Sequence, residues 1–119
     1  MNLTETNIRE KKFHNKLQSQ KKGRFENIFY KAIYNLSKDF FKYLEKNTKN
    51  AEILDYGCGA GDTIEEVAKY NPKKITGIDI SEVSINKAKD RAKKLGINVE
   101  YKVDNCEKTE LKDNNFDIV

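Results

Sequence analysis

Ile53-Leu54-Asp55-Tyr56-Gly57-Cys58-Gly59-Ala60-Gly61 is the stretch on which the reading of this chain turns. From Ala51 to Tyr56 it has the composition of a short strand; it then enters three glycines at alternate positions, and Ile64, Val67 and Ala68 follow at helical spacing. Glycine accepts a positive φ without strain and has no Cβ to hold a ligand away from the backbone, while the helix behind it presents N–H groups without intrahelical partners. A plain turn from strand to helix needs one glycine. Three describe a loop that holds a ligand.

The segments that follow repeat the same alternation. A helix is expected from Asp62 to Tyr70, capped by Asp62 with Glu65 three residues later and stopped by Asn71-Pro72. Lys74 to Ile80 reads as a second strand. Ser81 caps a helix whose inner face is Ile85, Ala88, Ala92 and Leu95 and whose terminator is Gly96. Ile97 to Val103 alternates as a third strand, and Phe116-Asp117-Ile118-Val119 opens a fourth. Strands joined through helices of this length mean right-handed crossovers and a parallel sheet, an α/β architecture with flanking helices. The sequence stops inside a segment of buried-strand composition, so it reads as the front part of a larger domain, truncated at the start of the fourth strand. The missing side of the sheet would be completed by further residues or by another chain.

Upstream lies a different kind of sequence. Residues 1–23 form a basic, polar arm, mobile or marginally helical, with Phe13 and Leu17 as its apolar anchors. Residues 24–50 hold one amphipathic helix, striped by Phe25, Ile28, Phe29, Ala32, Ile33, Leu36, Phe40 and Leu44 and expected to pack on the domain or, with the arm before it, to form a lid over the site, and a turn-like linker; residues 51–119 are the partial α/β domain. Charge follows this division: residues 1–50 carry twelve Lys and Arg against five Asp and Glu, whereas residues 51–119 carry eleven against fourteen. The basic residues are interspersed with Gln, Asn and Ser and lack the aromatic alternation that stacks on bases, so a nucleic-acid partner is not expected. With 119 residues there is room for one small domain and no apolar run long enough for a membrane span. Met1 to Glu10 has no apolar signal region, so the expected compartment is the cytoplasm. Two cysteines and one histidine exclude a disulfide scaffold and a zinc module, and no metal site is expected.

The loop also indicates which ligand. A dinucleotide site spaces its glycines as Gly-x-Gly-x-x-Gly, setting a pyrophosphate against the helix N-terminus; here the spacing is Gly-x-Gly-x-Gly. Asp55, two residues before the first glycine, would repel a phosphate and attract an ammonium group. Asp79 closes the second strand eighteen residues after Gly61, where a carboxylate accepts hydrogen bonds from ribose hydroxyls. The expected ligand carries a ribose and a positive charge.

Asp55-Tyr56-Gly57-Cys58-Gly59-Ala60-Gly61, Gly77-Ile78-Asp79-Ile80-Ser81 and Asp104 ahead of Phe116-Asp117-Ile118-Val119 resemble, in order and spacing, the successive motifs of class I S-adenosylmethionine-dependent methyltransferases, and most of all the small-molecule group. The resemblance covers Ala51 to Val119 and implies a Rossmann-like fold with S-adenosyl-L-methionine as cofactor. Gly57, Cys58, Gly59 and Gly61 would lie under its methionine part, and Asp55 would help position the amino group. Asp79 would bind the ribose hydroxyls, Ile80 would pack on the adenine, and Asp104 would accept from the adenine amino group with Asn105 and Cys106 beside it. No catalytic residue is assigned: the sulfonium activates the methyl group, and the protein aligns and desolvates. Cys58 and Cys106 lack a base to activate them, and His14 reads as solvent-facing. The methyl acceptor is expected to be a small molecule. Two rival readings are a nicotinamide-dependent oxidoreductase fragment and a non-catalytic module of methyltransferase-like fold.

Overall fold

A computed structural model of the chain describes residues 1–19 and 37–119. Its centre is a parallel sheet of three strands, β1 (Glu52–Tyr56), β2 (Lys74–Asp79) and β3 (Glu100–Val103), in the order β1-β2-β3. Ile53 stands opposite Ile75 and Gly77 opposite Tyr101. On the free edge of β1, Ile118 makes a parallel bridge to Ile53, its carbonyl accepting from Leu54 N–H at 2.9 Å, and the Asp117 carboxylate accepts from Glu52 N–H at 2.8 Å. The parallel α/β sheet is as expected, and the chain arrives at its next pairing on the opposite side of β1 from β2. The strand order therefore reverses at β1, the place where open α/β sheets bind ligands beyond the carboxyl ends of their strands.

Four helices are described: α1 (Glu5–Ser19), α2 (Lys38–Asn47), α3 (Asp62–Ala68) and α4 (Glu82–Leu95). One continuous core gathers Ile53, Ile75 and Tyr101 from the sheet, Ile64 and Val67 from α3, Ile85, Ala88 and Ala92 from α4, and Leu44 from α2. Leu54, Thr76 and Ile78, which alternate onto the other face, are buried as well. Gly77 has to be glycine: a Cβ there would come within 2.8 Å of both Ile64 Cδ1 and Tyr101 Cε1. Of the amphipathic stripe expected over 24–46, Phe25 to Leu36 lie outside the described residues; in α2, Leu44 is buried but Phe40 is half exposed.

Local signals at the ends of α4 act as expected. The Ser81 hydroxyl accepts from Ser84 N–H at 3.1 Å, and Gly96 turns left-handed at φ 67°. Ile97 N–H then reaches back to Ala92 O at 2.9 Å. That closure carries Ile97 onto the core and leaves Leu95 49% exposed, so Leu95 does not belong to the inner face. Nor does Asp62 cap α3: Gly61 occupies the cap position at φ 85°, and the Asp62 carboxylate pairs with Arg91 of α4. Arg91 also meets Glu65 at 2.8 Å, so the two acidic residues tie α3 to α4.

The amino-terminal arm forms the helix α1. Thr4 and Asn7 begin it with a reciprocal pair of hydrogen bonds, Thr4 N–H to Asn7 Oδ1 at 3.1 Å and Asn7 N–H to Thr4 Oγ1 at 3.2 Å. It packs along α4. Phe13 does not anchor it, being 61% exposed.

Candidate functional site

Gly57, Gly59 and Gly61 all adopt positive φ, at 79°, 55° and 85°. The loop folds back on β2, with Gly57 N–H and Cys58 N–H both donating to Ile78 O, at 2.9 and 2.8 Å. Each glycine answers a different need. A Cβ on Gly61 would stand 2.8 Å from Tyr101 Oη and 3.3 Å from Ala88 Cβ, so this glycine lets α3 seat against α4 and β3; a Cβ on Gly57 would meet nothing within 4 Å, so this one opens onto free space. Cys58 turns into the core at 7% exposure, and burial pushes its thiol well above the ordinary range.

Asp79 is held by that loop. Gly59 N–H donates to one of its oxygens at 2.9 Å and Ser81 N–H to the other at 2.8 Å, which fixes the carboxylate and leaves each oxygen able to accept once more. Asp55 is held by nothing. Its Oδ2 is buried and has no hydrogen-bond partner, and burial together with the nearby Asp79 charge raises its pKa to about 6. An unpartnered buried carboxylate costs stability, and a cationic donor placed beside it would remove that cost.

A cavity of about 260 Å³ opens at the carboxyl ends of the strands. Of the residues expected at a site, Gly57, Gly59, Asp79, Ile80, Asn105 and Cys106 line it. Asp55 faces a second hollow of about 320 Å³ with Tyr56, Thr63 and Ile118. Asp104 lines neither hollow: it is buried, and its oxygens accept from Thr109 Oγ1 at 2.6 Å, Asn105 N–H at 2.8 Å and Glu110 N–H at 3.3 Å. It braces the loop that presents Asn105 and Cys106. The Tyr56 hydroxyl, donating to Cys106 O, ties the same loop to the end of β1. Burial raises the Cys106 thiol, so neither cysteine is an activated nucleophile. Among the described residues, no cluster of His, Cys, Asp and Glu could hold a metal ion, and no helix is long and apolar enough to cross a membrane.

The remaining walls come from residues outside the glycine motif: Ser84, Glu107, and Asn7, Glu10 and His14 of α1. His14 lines the cavity with its side chain still about a third exposed, 35%. These α1 residues recur at helical spacing, a signal visible in the sequence only when the period is sought among polar residues, since hydropathy does not register it.

A parallel α/β sheet with a glycine loop after β1 and a carboxylate fixed at the end of β2 defines a domain of the doubly wound, Rossmann-like class. Residues 47–119 match the family model described as a methyltransferase domain, and the chain belongs to that family. It is 35% identical over 80 residues to a ubiquinone biosynthesis O-methyltransferase of Coxiella burnetii, an alignment covering 66% of this chain and 34% of that one. The chain thus spans about a third of that relative's length. Among solved structures, the PH0226 protein of Pyrococcus horikoshii superposes with a TM-score of 0.64 at 27% identity, over 80% of this chain and 44% of the other. Magnesium protoporphyrin IX methyltransferase of Synechocystis, solved with bound SAM, shares the fold with a TM-score of 0.69 at 15% identity, over 88% of this chain and 57% of the other.

Proposed function

We propose that the protein binds S-adenosyl-L-methionine at the carboxyl ends of β1 and β2 and directs its methyl group to a small-molecule acceptor. The observation that carries this reading is Asp55, a carboxylate with one buried, unpartnered oxygen, next to a glycine loop that opens onto free space at Gly57. An ammonium group supplies the missing donor, whereas a pyrophosphate would add repulsion. The O-methyltransferase relative supports an acceptor of metabolite size.

In this reading, Asp79 accepts from the ribose hydroxyls with the capacity left on its two oxygens. Ile80 packs on the adenine, and the backbone of Gly57 and Gly59 passes close beneath the ligand. Cys58 and Gly61 contribute through the loop conformation. Asp104 acts on the adenine end through the turn it braces, where Asn105 and Cys106 offer backbone groups. Bound S-adenosyl-L-methionine supplies a methyl group already activated by its sulfonium. The chain's own residues bind, orient and exclude water, and alignment of this kind accounts for a large part of a barrier reduction.

Thermal unfolding of the chain with and without saturating S-adenosylhomocysteine tests the reading, with NAD and the Asp79→Ala variant alongside. A ligand that binds only the folded state adds about 2.7 kcal/mol at a hundred times its dissociation constant. An upward shift with S-adenosylhomocysteine, absent with NAD and lost in Asp79→Ala, is the expected result. A cooperative melt that moves only with NAD would replace the reading by the oxidoreductase one, and a melt that moves with neither would leave a module without this cofactor.

A further inference from the structure

The wall that α1 gives the cavity is not explained by the glycine motif. Asn7, Glu10 and His14 stand at i, i+3 and i+7, so a single face of α1 presents all three to the space shared with Gly57, Asp79 and Ile80. Apolar burial contributes little to holding the helix there: Phe13 and Ile8 are 61% and 41% exposed, and Leu17 is only partly covered. Polar contacts do. Asn7, only 4% exposed, donates through Nδ2 to Glu107 at 2.8 Å and accepts at Oδ1 from Asn105 Nδ2 at 3.0 Å. One turn on, Lys11 pairs with Glu82 at 2.8 Å, and Asn15 Oδ1 accepts from the Ser81 hydroxyl. Both anchor points flank the expected nucleoside position, one on the loop after β3 and the other on the residues that follow Asp79.

Between those anchors, Glu10 Oε2 lies 3.5 Å from His14 Nε2, a contact that orients the ring. His14 Nδ1 has no hydrogen-bond partner in the protein among the described residues. With Glu10, Asp79 and Glu107 all on its lining, the cavity favours a ligand rich in hydroxyl donors and free of phosphate. We propose that α1 closes this cavity over the nucleoside and that Glu10 and His14 are ligand-contacting residues, hydrogen-bonding the adenosine part of S-adenosyl-L-methionine. The assignment rests on the cofactor reading above and adds two contacts outside the motifs that carry it.

The test is isothermal titration of the full chain with S-adenosylhomocysteine and, separately, with adenosine. Glu10→Gln and His14→Ala are compared with Lys12→Ala, an exposed position on the far side of α1, and with Asp79→Ala. Glu10→Gln and His14→Ala should each weaken binding about tenfold, the scale of one hydrogen bond involving a charged group. The loss should be the same for adenosine as for S-adenosylhomocysteine, since it arises at the nucleoside, and Lys12→Ala should bind as the unmodified chain does. If both α1 variants bind within about twofold of the unmodified chain while Asp79→Ala does not bind, the α1 contacts are refuted and the cofactor reading stands. If the unmodified chain binds neither ligand, both fall. Should a variant lose the helix itself, amide hydrogen exchange on the unmodified chain decides: slower exchange over residues 5–19 on adding ligand supports the contacts, and unchanged exchange overturns them.

Discussion

The two ends of the sheet are built on opposite terms. At the amino ends of the strands, charges are matched: Lys73 meets Glu52 and Lys74 meets Glu100, each at 2.8 Å, and the contacts from Lys74 and Lys102 hold Glu100 down at a pKa of about 2. At the carboxyl ends, Asp55 keeps a buried oxygen without a partner and titrates at about 6. The amino end also has the larger hollow, about 540 Å³ against 260 Å³. Size therefore does not mark the site. An unpartnered charge does: Thr48 Oγ1, buried just ahead of β1, also lacks a partner, but a neutral hydroxyl costs far less to leave unpaired than a carboxylate.

The sharpest way to break this contrast is at the glycines. Gly61→Ala forces a Cβ into Tyr101 and Ala88 at a positive φ, and should cost about 4 kcal/mol in chemical denaturation, strain and overpacking combined. Gly57→Ala has the strain without the clash. It should cost about 1 kcal/mol and show its main effect as lost affinity for S-adenosylhomocysteine. Equal stability losses for the two would contradict the division between a packing glycine and a ligand glycine.

Asp55→Asn comes next. Folding raises the pKa of Asp55 from 3.8 to about 6, so the folded state holds the proton more tightly than the unfolded chain, and its contribution is complete below pH 4 and lost as pH rises through 6. At pH 7 the ionised group therefore costs about 3 kcal/mol, and Asp55→Asn should be more stable than the unmodified chain there by up to that amount, with the gain vanishing toward pH 4. Denaturation at both pH values checks it; a gain independent of pH would place the cost elsewhere. An ammonium group binds the ionised carboxylate, so affinity for S-adenosylhomocysteine should fall below pH 6, by up to about tenfold per unit, in the unmodified chain and not in Asp55→Asn. The smallest effect belongs to the amino end. Lys74→Ala removes an exposed pair and should leave both the melting midpoint and ligand binding where they were, since exposed pairs contribute little.

The elements that build the carboxyl end were legible in advance, and for local reasons; the ion pairs at the amino end were not. The alternating strands, the left-handed stop at Gly96 and the Ser81 cap each depend on conformational preferences within a few residues. The three glycines and Asp79 were legible because a strand running into a helix has few ways to turn. Asp62 was misassigned because a left-handed Gly61 fills the cap position by itself, freeing the carboxylate for Arg91 on another helix. Leu95 was misassigned because the turn at Gly96 hands the core contact to Ile97.

The sequence by itself determined the element order, the parallel α/β class and the glycine turn that lies between Asp55 and Asp79. Only the tertiary structure decided which polar groups meet. Asn7 finds Asn105 and Glu107 at separations of 98 and 100 residues, Asp104 turns to its own loop, and a polar helix with Phe13 outward becomes a wall of the cavity. The physical reason is the difference in what the two kinds of information record. Backbone preference and apolar period are properties of neighbours along the chain, whereas a hydrogen bond between polar side chains is specified only once the fold has brought both ends within about 3 Å.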